Sequence, residues 1–309
     1  MRAVAEAPSK VIITGEHFVV HGAWALAAAV DRRVRVEVGE SPTFSVVSDR
    51  FWPGNTGALA PVREIVGGMA REFSFRPTMH VSIASDVPQG SGLGSSASTA
   101  VALVSAVSKF RSVELDAKEV ARFAGLGEKV VHGNPSGIDA STCAHGGVIL
   151  YRIGNPPRRV SFEGKRRVLV AFSGEARSTK RLISRVRERK EQFPSLFGGL
   201  VDYAGKVSML ARERLVSGQM KALGGLLTLN HAMLTSVGVS GEPLDTLVDL
   251  LISLGCYGAK LTGAGGGGSV VAVAPRGKEK NILSGLKGRG YEGFVTALPV
   301  EGVRSWLES

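Results

Sequence analysis

The chain has little of several things that would narrow its class at once. Its 2 cysteines, Cys143 and Cys256, lie far apart and outside any C-x-x-C pair, so a disulfide scaffold, a zinc site or a redox pair is not expected and buried free thiols are. Aromatic residues make up only 6%, and none interleave with the basic residues in the manner of a nucleic-acid surface. The longest apolar run, AWALAAAV over residues 23–30, is far shorter than the ~20 residues that cross a bilayer. The opening MRAVAEAPSKVIITGEHF holds no uninterrupted apolar core of the signal-peptide kind, and a cytoplasmic location is expected. What remains, 44% apolar and 21% charged over 309 residues, is the composition of an ordinary globular chain, long enough for two domains or one large one.

The formal charge is +11, which draws anions such as nucleotides, carboxylates or nucleic acid. The basic residues are spread out, with one denser region from Lys165 to Lys190. Within it Leu182, Ile183 and Val186 form an apolar stripe, so a helix with a solvated charged face is the favoured reading and nucleic-acid binding is disfavoured.

Glycine is abundant, and two segments concentrate it. In VPQGSGLGSS, residues 87–96, Gly90, Gly92 and Gly94 alternate with Ser91 and Leu93 before Ser95 and Ser96. His80-Val-Ser-Ile-Ala84 alternates as a strand ahead of it, and residues 95–110 carry Ala97, Val101, Val104 and Val107 at helical spacing, with Ser95 or Ser96 near the N-cap. A strand–glycine loop–helix unit turns backbone N–H groups toward one point and adds the positive end of a helix, which suits a di- or triphosphate. A tight turn that needs glycine is the plainer alternative. The loop is neither a G-x-x-x-x-G-K-[ST] nor a G-x-G-x-x-G motif, and it supplies no lysine. In KLTGAGGGGS, residues 260–269, five glycines fall in six positions before the strand Ser269–Val273, which core packing does not explain and close backbone contact does, with a mobile turn as the alternative.

Two further segments carry candidate chemistry. Lys10 starts the short β-branched run KVIIT, where a lysine calls for an anionic partner unless it reaches solvent; Gly15-Glu16-His17 follows. Asp116 is placed to cap a helix running to about Lys129, with Glu128 near its end, and HGNPSGIDAST over residues 132–142 reads as a loop that presents Asp139 at its tip. Two carboxylates can divide labour, one holding a metal and one taking a proton, although a turn-capping aspartate alone would explain Asp139. Strands are expected at residues 34–38 and 147–151. Beyond a Pro/Gly/Arg-rich stretch at 152–167, taken as the domain boundary, helices are expected at about 178–192, 196–216, 219–237 and 243–256, then a strand, a helix and a terminal strand–helix.

Three motifs, APSKVIITGEH, PQGSGLGSSAS and KLTGAGGGGSVVAV, occur in the order and spacing of the GHMP kinases, and together they span most of the chain. Within that superfamily the sequence most resembles the mevalonate kinase family in its compact archaeal form, through GEHFVVHGAWALAAAVDRR, HGNPSGIDASTCAHGG, GEARSTKRL and NHAMLTSVGVSGEPLD. The resemblance implies an α+β fold with an N-terminal ribosomal protein S5 domain 2-like domain at 1–160, binding the ATP phosphates, and a C-terminal ferredoxin-like α/β domain at 161–309. It implies ATP-dependent phosphorylation of the 5-hydroxyl of mevalonate in isoprenoid biosynthesis, with Mg²⁺, as a homodimer and without nucleic-acid or membrane partners. Asp139 would be the base with Lys10 beside it. Pro88, Gly90, Ser91, Gly92, Leu93, Gly94, Ser95 and Ser96 would hold ATP. Ser96, rather than Ser95, and Glu128 would hold the metal, and Glu16, His17, Thr179, Gly263, Ala264 and Gly265 would meet the substrate. A sibling kinase acting on phosphomevalonate, homoserine or a sugar, and a non-catalytic binding protein, are the alternatives.

Overall fold

The computed structural model describes residues 1–49, 59–88, 90–132, 135–175 and 179–308. The first half runs β1 (Arg2–Thr14), β2 (Ala25–Gly39), β3 (Ser45–Ser48), α1 (Ala60–Phe73), β4 (His80–Ser85), α2 (Ser95–Phe110), α3 (Ala117–His132), α4 (Ile138–His145), β5 (Val148–Tyr151) and β6 (Arg158–Arg159). The second runs β7 (Arg166–Phe172), α5 (Thr179–Gln192), α6 (Pro194–Val216), α7 (Met220–Ser236), α8 (Glu242–Ser253), β8 (Gly258–Thr262), β9 (Ser269–Val273), α9 (Glu279–Lys287), β10 (Gly293–Leu298) and β11 (Arg304–Glu308).

Two sheets organise these elements. The first has the strand order β11-β1-β2-β4-β3, with β5 joined to β2 and β6 to β5; the second has the order β10-β7-β9-β8, antiparallel throughout. In β2 the alternation of sequence becomes an alternation of faces: Val34, Val36 and Val38 are fully buried while Arg35 and Glu37 between them are partly exposed and paired with each other. Helix α2 lies against β1 and β2. Its alanines, serines and valines are buried nearly all round, and these small side chains let the helix backbone sit close to the sheet. One continuous apolar core joins Val11 and Leu26 of the first sheet with Val170 and Val271 of the second and with Ala211, Leu215, Leu223 and Leu227 of α6 and α7. The halves therefore share packing rather than hanging on a linker.

The α+β expectation holds, and the helix at 95–110 falls where expected. Several local expectations do not. Lys10 is not at a strand start: β1 begins at Arg2, and Lys10 sits in its interior, paired with Ala29. Asp139 is not at a loop tip but in the first turn of α4, opened by Gly137 in a left-handed conformation. The terminal helix is instead β11, because pairing with β1 satisfies an open sheet edge and Arg304 pairs with Glu6 at 2.7 Å. The division at residues 160/161 stands as a proposal, and β11, beyond it in sequence, crosses back to join the first sheet.

The end of α4 is tied to the segment before β11. Gly146 has φ 66° and ψ −170°, a region that only glycine occupies comfortably, and a Cβ there would stand 2.1 Å from the Gly302 nitrogen. Gly146→Ala is expected to lose about 2 kcal/mol or more of unfolding free energy, read as a fall in the urea midpoint at unchanged slope.

Candidate active site

Gly90, Gly92 and Gly94 take φ of 74°, 82° and 75°, so the loop alternates left-handed residues with Ser91 and Leu93. That alternation turns successive N–H groups toward one side. Gly94, not a serine, is the N-cap of α2, and no side chain caps the helix, which leaves its positive end open. Ser95 is partly buried and Ser96 exposed at that opening, and Pro88 enters the loop by accepting a hydrogen bond from Ser91 N at 3.3 Å. The loop is fastened from three sides. Lys10 N donates to Leu93 O at 3.0 Å, Ser98 Oγ donates to Pro8 O at 3.0 Å, and Ser269 Oγ donates to Ser91 O at 2.5 Å.

The lysine absent from the loop arrives from β1. Lys10 is 2% exposed, and its Nζ lies 3.0 Å from Asp139 Oδ1 and 3.4 Å from Gly92 O. A Cβ on Gly94 would stand 2.8 Å from Lys10 Cε, so the glycine makes room for the ammonium's stem. Asp139 keeps a third of its side chain exposed at the mouth of the site. Glu128, from the middle of α3's last turns, is buried beside them and has no hydrogen bond or ion pair among the described residues. Burial, and then the Asp139 charge, push its carboxyl up to about 8 against the pull of Lys10. Asp139 holds the ammonium and Glu128 feels it only at a distance, so a further cation would hold Glu128 ionised. Among the described residues no group of three or more His, Cys, Asp and Glu side chains could hold a metal unaided. Any cation here needs further oxygens beyond these side chains, as Mg²⁺ takes from phosphates and hydroxyls.

A second buried ion pair lies just after β1. Glu16 is 1% exposed and is gripped by the ammonium of Lys260 from β8. His17, partly buried with φ 60°, donates from Nε2 to Ala264 O at 3.0 Å. The close backbone contact expected of the glycine-rich segment after β8 is present, and at three positions it is with the chain itself. A Cβ on Gly265 would meet Val239 O at 2.0 Å, one on Gly266 would meet Leu182 at 2.6 Å, and one on Gly268 would meet Ser91 O at 3.0 Å. Gly263, at φ 86°, begins that turn. The side chain of Thr179 lies outside the described residues. The structure therefore brings together Lys10, Asp139, Glu128 and the 90–96 loop, and it ties Glu16 to Lys260 and His17 to Ala264. Sequence reasoning missed Lys260, Asn230 and Thr262. Their signal was a polar residue inside apolar runs: Lys260 and Thr262 in β8, and Asn230 in α7, whose Oδ1 accepts from Gly15 N at 3.0 Å.

Residues 61–147 match the GHMP kinases N terminal domain and residues 211–292 match the GHMP kinases C terminal. A mevalonate kinase of Thermococcus sibiricus is 35% identical with 98% of each chain covered, and one of Pyrococcus abyssi is 36% identical with 97% of each covered. Among solved structures, L. major mevalonate kinase in complex with R-mevalonate superposes with a TM-score of 0.83 at 30% identity, covering 96% of both chains. The Methanococcus jannaschii mevalonate kinase superposes with a TM-score of 0.83 at 26% identity, over 96% of this chain and 98% of that one. The glycine loop, the Lys10–Asp139 pair and the two-domain fold go with that likeness: the chain belongs to the GHMP kinases and, within them, to the mevalonate kinase family.

Burial holds the His17 imidazole down to about 4 from its ordinary 6.5, partly offset by Ala264 O. A folded-state value below the unfolded one gives stability that is full above the unfolded value and is lost as pH falls toward the folded value, by up to ~1.4 kcal/mol per pH unit. Between about pH 7 and 4.5 the wild type should lose about 1–3 kcal/mol more unfolding free energy than His17→Asn, which tolerates the same left-handed backbone. Urea titrations of both proteins at the two pH values measure the difference.

Proposed function

We propose that the chain transfers the γ-phosphate of ATP to the 5-hydroxyl of mevalonate. The observation that carries this reading is the buried Lys10–Asp139 pair, 3.0 Å apart, set beside Gly92 O at the open end of α2. An alcohol is a poor nucleophile, so its proton must leave as the new P–O bond forms. Asp139 is exposed enough to meet the hydroxyl and takes that proton at a carboxylate oxygen. Lys10 keeps Asp139 oriented and offsets negative charge on the forming alkoxide or on the transferred phosphoryl group. The amides of residues 90–94 and the first turn of α2 hold the phosphates. Positioning and electrostatics of this kind supply most of the catalysis in phosphoryl transfer.

The buried Glu128 carboxyl, which has no hydrogen bond or ion pair among the described residues, and the exposed Ser96 hydroxyl fit Mg²⁺, with Ser95 the less open alternative. Bound there, Mg²⁺ would neutralise charge on the β- and γ-phosphates. Glu16 and His17 face the acceptor alcohol, and Gly263, Ala264 and Gly265 shape the wall behind them. The role of Thr179 rests on resemblance alone. Among the described residues no helix is long and apolar enough to cross a membrane; a homodimer and a cytoplasmic location are proposals that accompany the family reading.

ADP release with ATP and mevalonate, compared with phosphomevalonate, homoserine and a sugar, tests the assignment; preference for one of the latter would overturn it. Asp139→Asn should cut kcat by about a thousandfold or more while ATP still binds, and near-normal turnover would remove Asp139 as base. Glu128→Gln should raise the Mg²⁺ concentration for half-maximal rate by about tenfold, whereas an unchanged Mg²⁺ curve would remove it as a ligand.

A further inference from the structure

Lys260 lies outside the site as the sequence delimits it, yet it is fully buried and all of its ammonium protons are engaged. Its Nζ donates to a Glu16 carboxylate oxygen, to Ile12 O at 3.2 Å and to Leu261 O. It reaches from β8 of the second sheet to the turn after β1 of the first. Its strand is pinned there by Thr262, whose hydroxyl accepts from Ile12 N at 2.8 Å and donates to Ile12 O at 3.1 Å.

Glu16 is held unevenly. Oε1 takes the ammonium, while Oε2 is buried with no hydrogen-bond partner among the described residues. The amide nitrogen of Asn230, whose oxygen accepts from Gly15 N, is likewise buried without a partner. An ion pair kept for stability alone gains nothing from an acceptor shut away from water, because an unmatched buried oxygen costs folding free energy. A carboxylate with one oxygen anchored and the other free is instead an acceptor made ready for a hydroxyl. Its field also reaches the catalytic pair: the charge of Lys10 acts on Glu16. Burial pushes the Glu16 carboxyl up and the Lys260 ammonium down, and each is the other's main counterweight.

We propose that Lys260 is a positioning residue that fixes Glu16 as an ionised carboxylate, leaving Oε2 to accept a hydrogen bond from a hydroxyl of the acceptor alcohol. The proposal rests on the alcohol-phosphorylating reading given above. It places Lys260's contribution in recognition of the acceptor rather than in the transfer step, since among the described residues its hydrogen bonds go to Glu16, Ile12 and Leu261 and none to the phosphate loop or Asp139.

A double-mutant cycle under steady-state conditions tests it, with mevalonate and ATP varied separately. Lys260→Met should raise the KM for mevalonate about tenfold or more, with the KM for ATP within about twofold of wild type and a smaller change in kcat. Glu16→Gln should give a similar rise, and adding Lys260→Met to Glu16→Gln should leave the KM for mevalonate where Glu16→Gln put it. A wild-type KM in Lys260→Met, or the same factor added in both backgrounds, would overturn the proposal. If Lys260→Met does not fold, Lys260→Arg takes its place: it keeps the charge but shifts the donor. It should raise the KM for mevalonate with Glu16 present and not in the Glu16→Gln background; equal effects in both overturn the proposal. Wild-type turnover separates the two readings. If the wild type accepts a different small alcohol, the function assignment fails and the same cycle is run with that alcohol; if it accepts none, both readings fall.

Discussion

A lysine ammonium cannot be taken out of water without an anion at its side, and the site is built around that requirement at Lys10. Its charge sits in the interior of a buried strand, and Asp139 answers it from the first turn of a separate helix. The surrounding sequence follows from keeping that pair in place. Gly94 lacks a side chain because the lysine stem passes where a Cβ would be. Ser98 joins the glycine loop to Pro8, two residues ahead of the lysine on the same strand. Cys143, on Asp139's helix, packs under Ser98 with its thiol pushed up to about 12 by burial, so it fills space and stays unreactive. Loop, strand and helix are thereby one rigid unit.

The same problem is solved a second time at Lys260. Lys260 enters from the second sheet as Lys10 does from the first, and each meets a carboxylate carried by the other's neighbourhood or by a facing helix. A buried pair costs about as much in lost hydration as it returns in attraction. Its value lies in direction: it fixes where each carboxylate oxygen points. Packing supports this, since the apolar core runs without a break from β1 to β9.

The sequence announced the parts of the site that depend on local chemistry. Alternating glycines, a serine-rich helix start and the step from Glu128 to Asp139 are local patterns, and the structure gathers them. What stayed hidden depends on partners distant in the chain. AWALAAAV is an apolar run whose strand identity comes from having β1 on one side and β5 on the other. The final segment is a strand because an open edge awaits it, which its own residues do not advertise. The glycines at 263–268 advertised close contact correctly, but sequence alone could not tell a ligand from Val239, Leu182 and Ser91. Lys260 was readable only as the head of that glycine segment, because its partner lies 244 positions away.

The pairing of β11 with β1 reaches beyond architecture into the order of assembly. Arg2 is registered against Glu308, a contact that spans nearly the whole chain. Lys10 lies on the strand whose outer edge that contact closes. During synthesis the edge remains bare until residue 308 has been made, and contacts of such sequence separation form slowly even then. The strand that carries Lys10 is therefore made long before the segment that encloses it, so a growing chain has the 90–96 loop well before it has a finished frame around it.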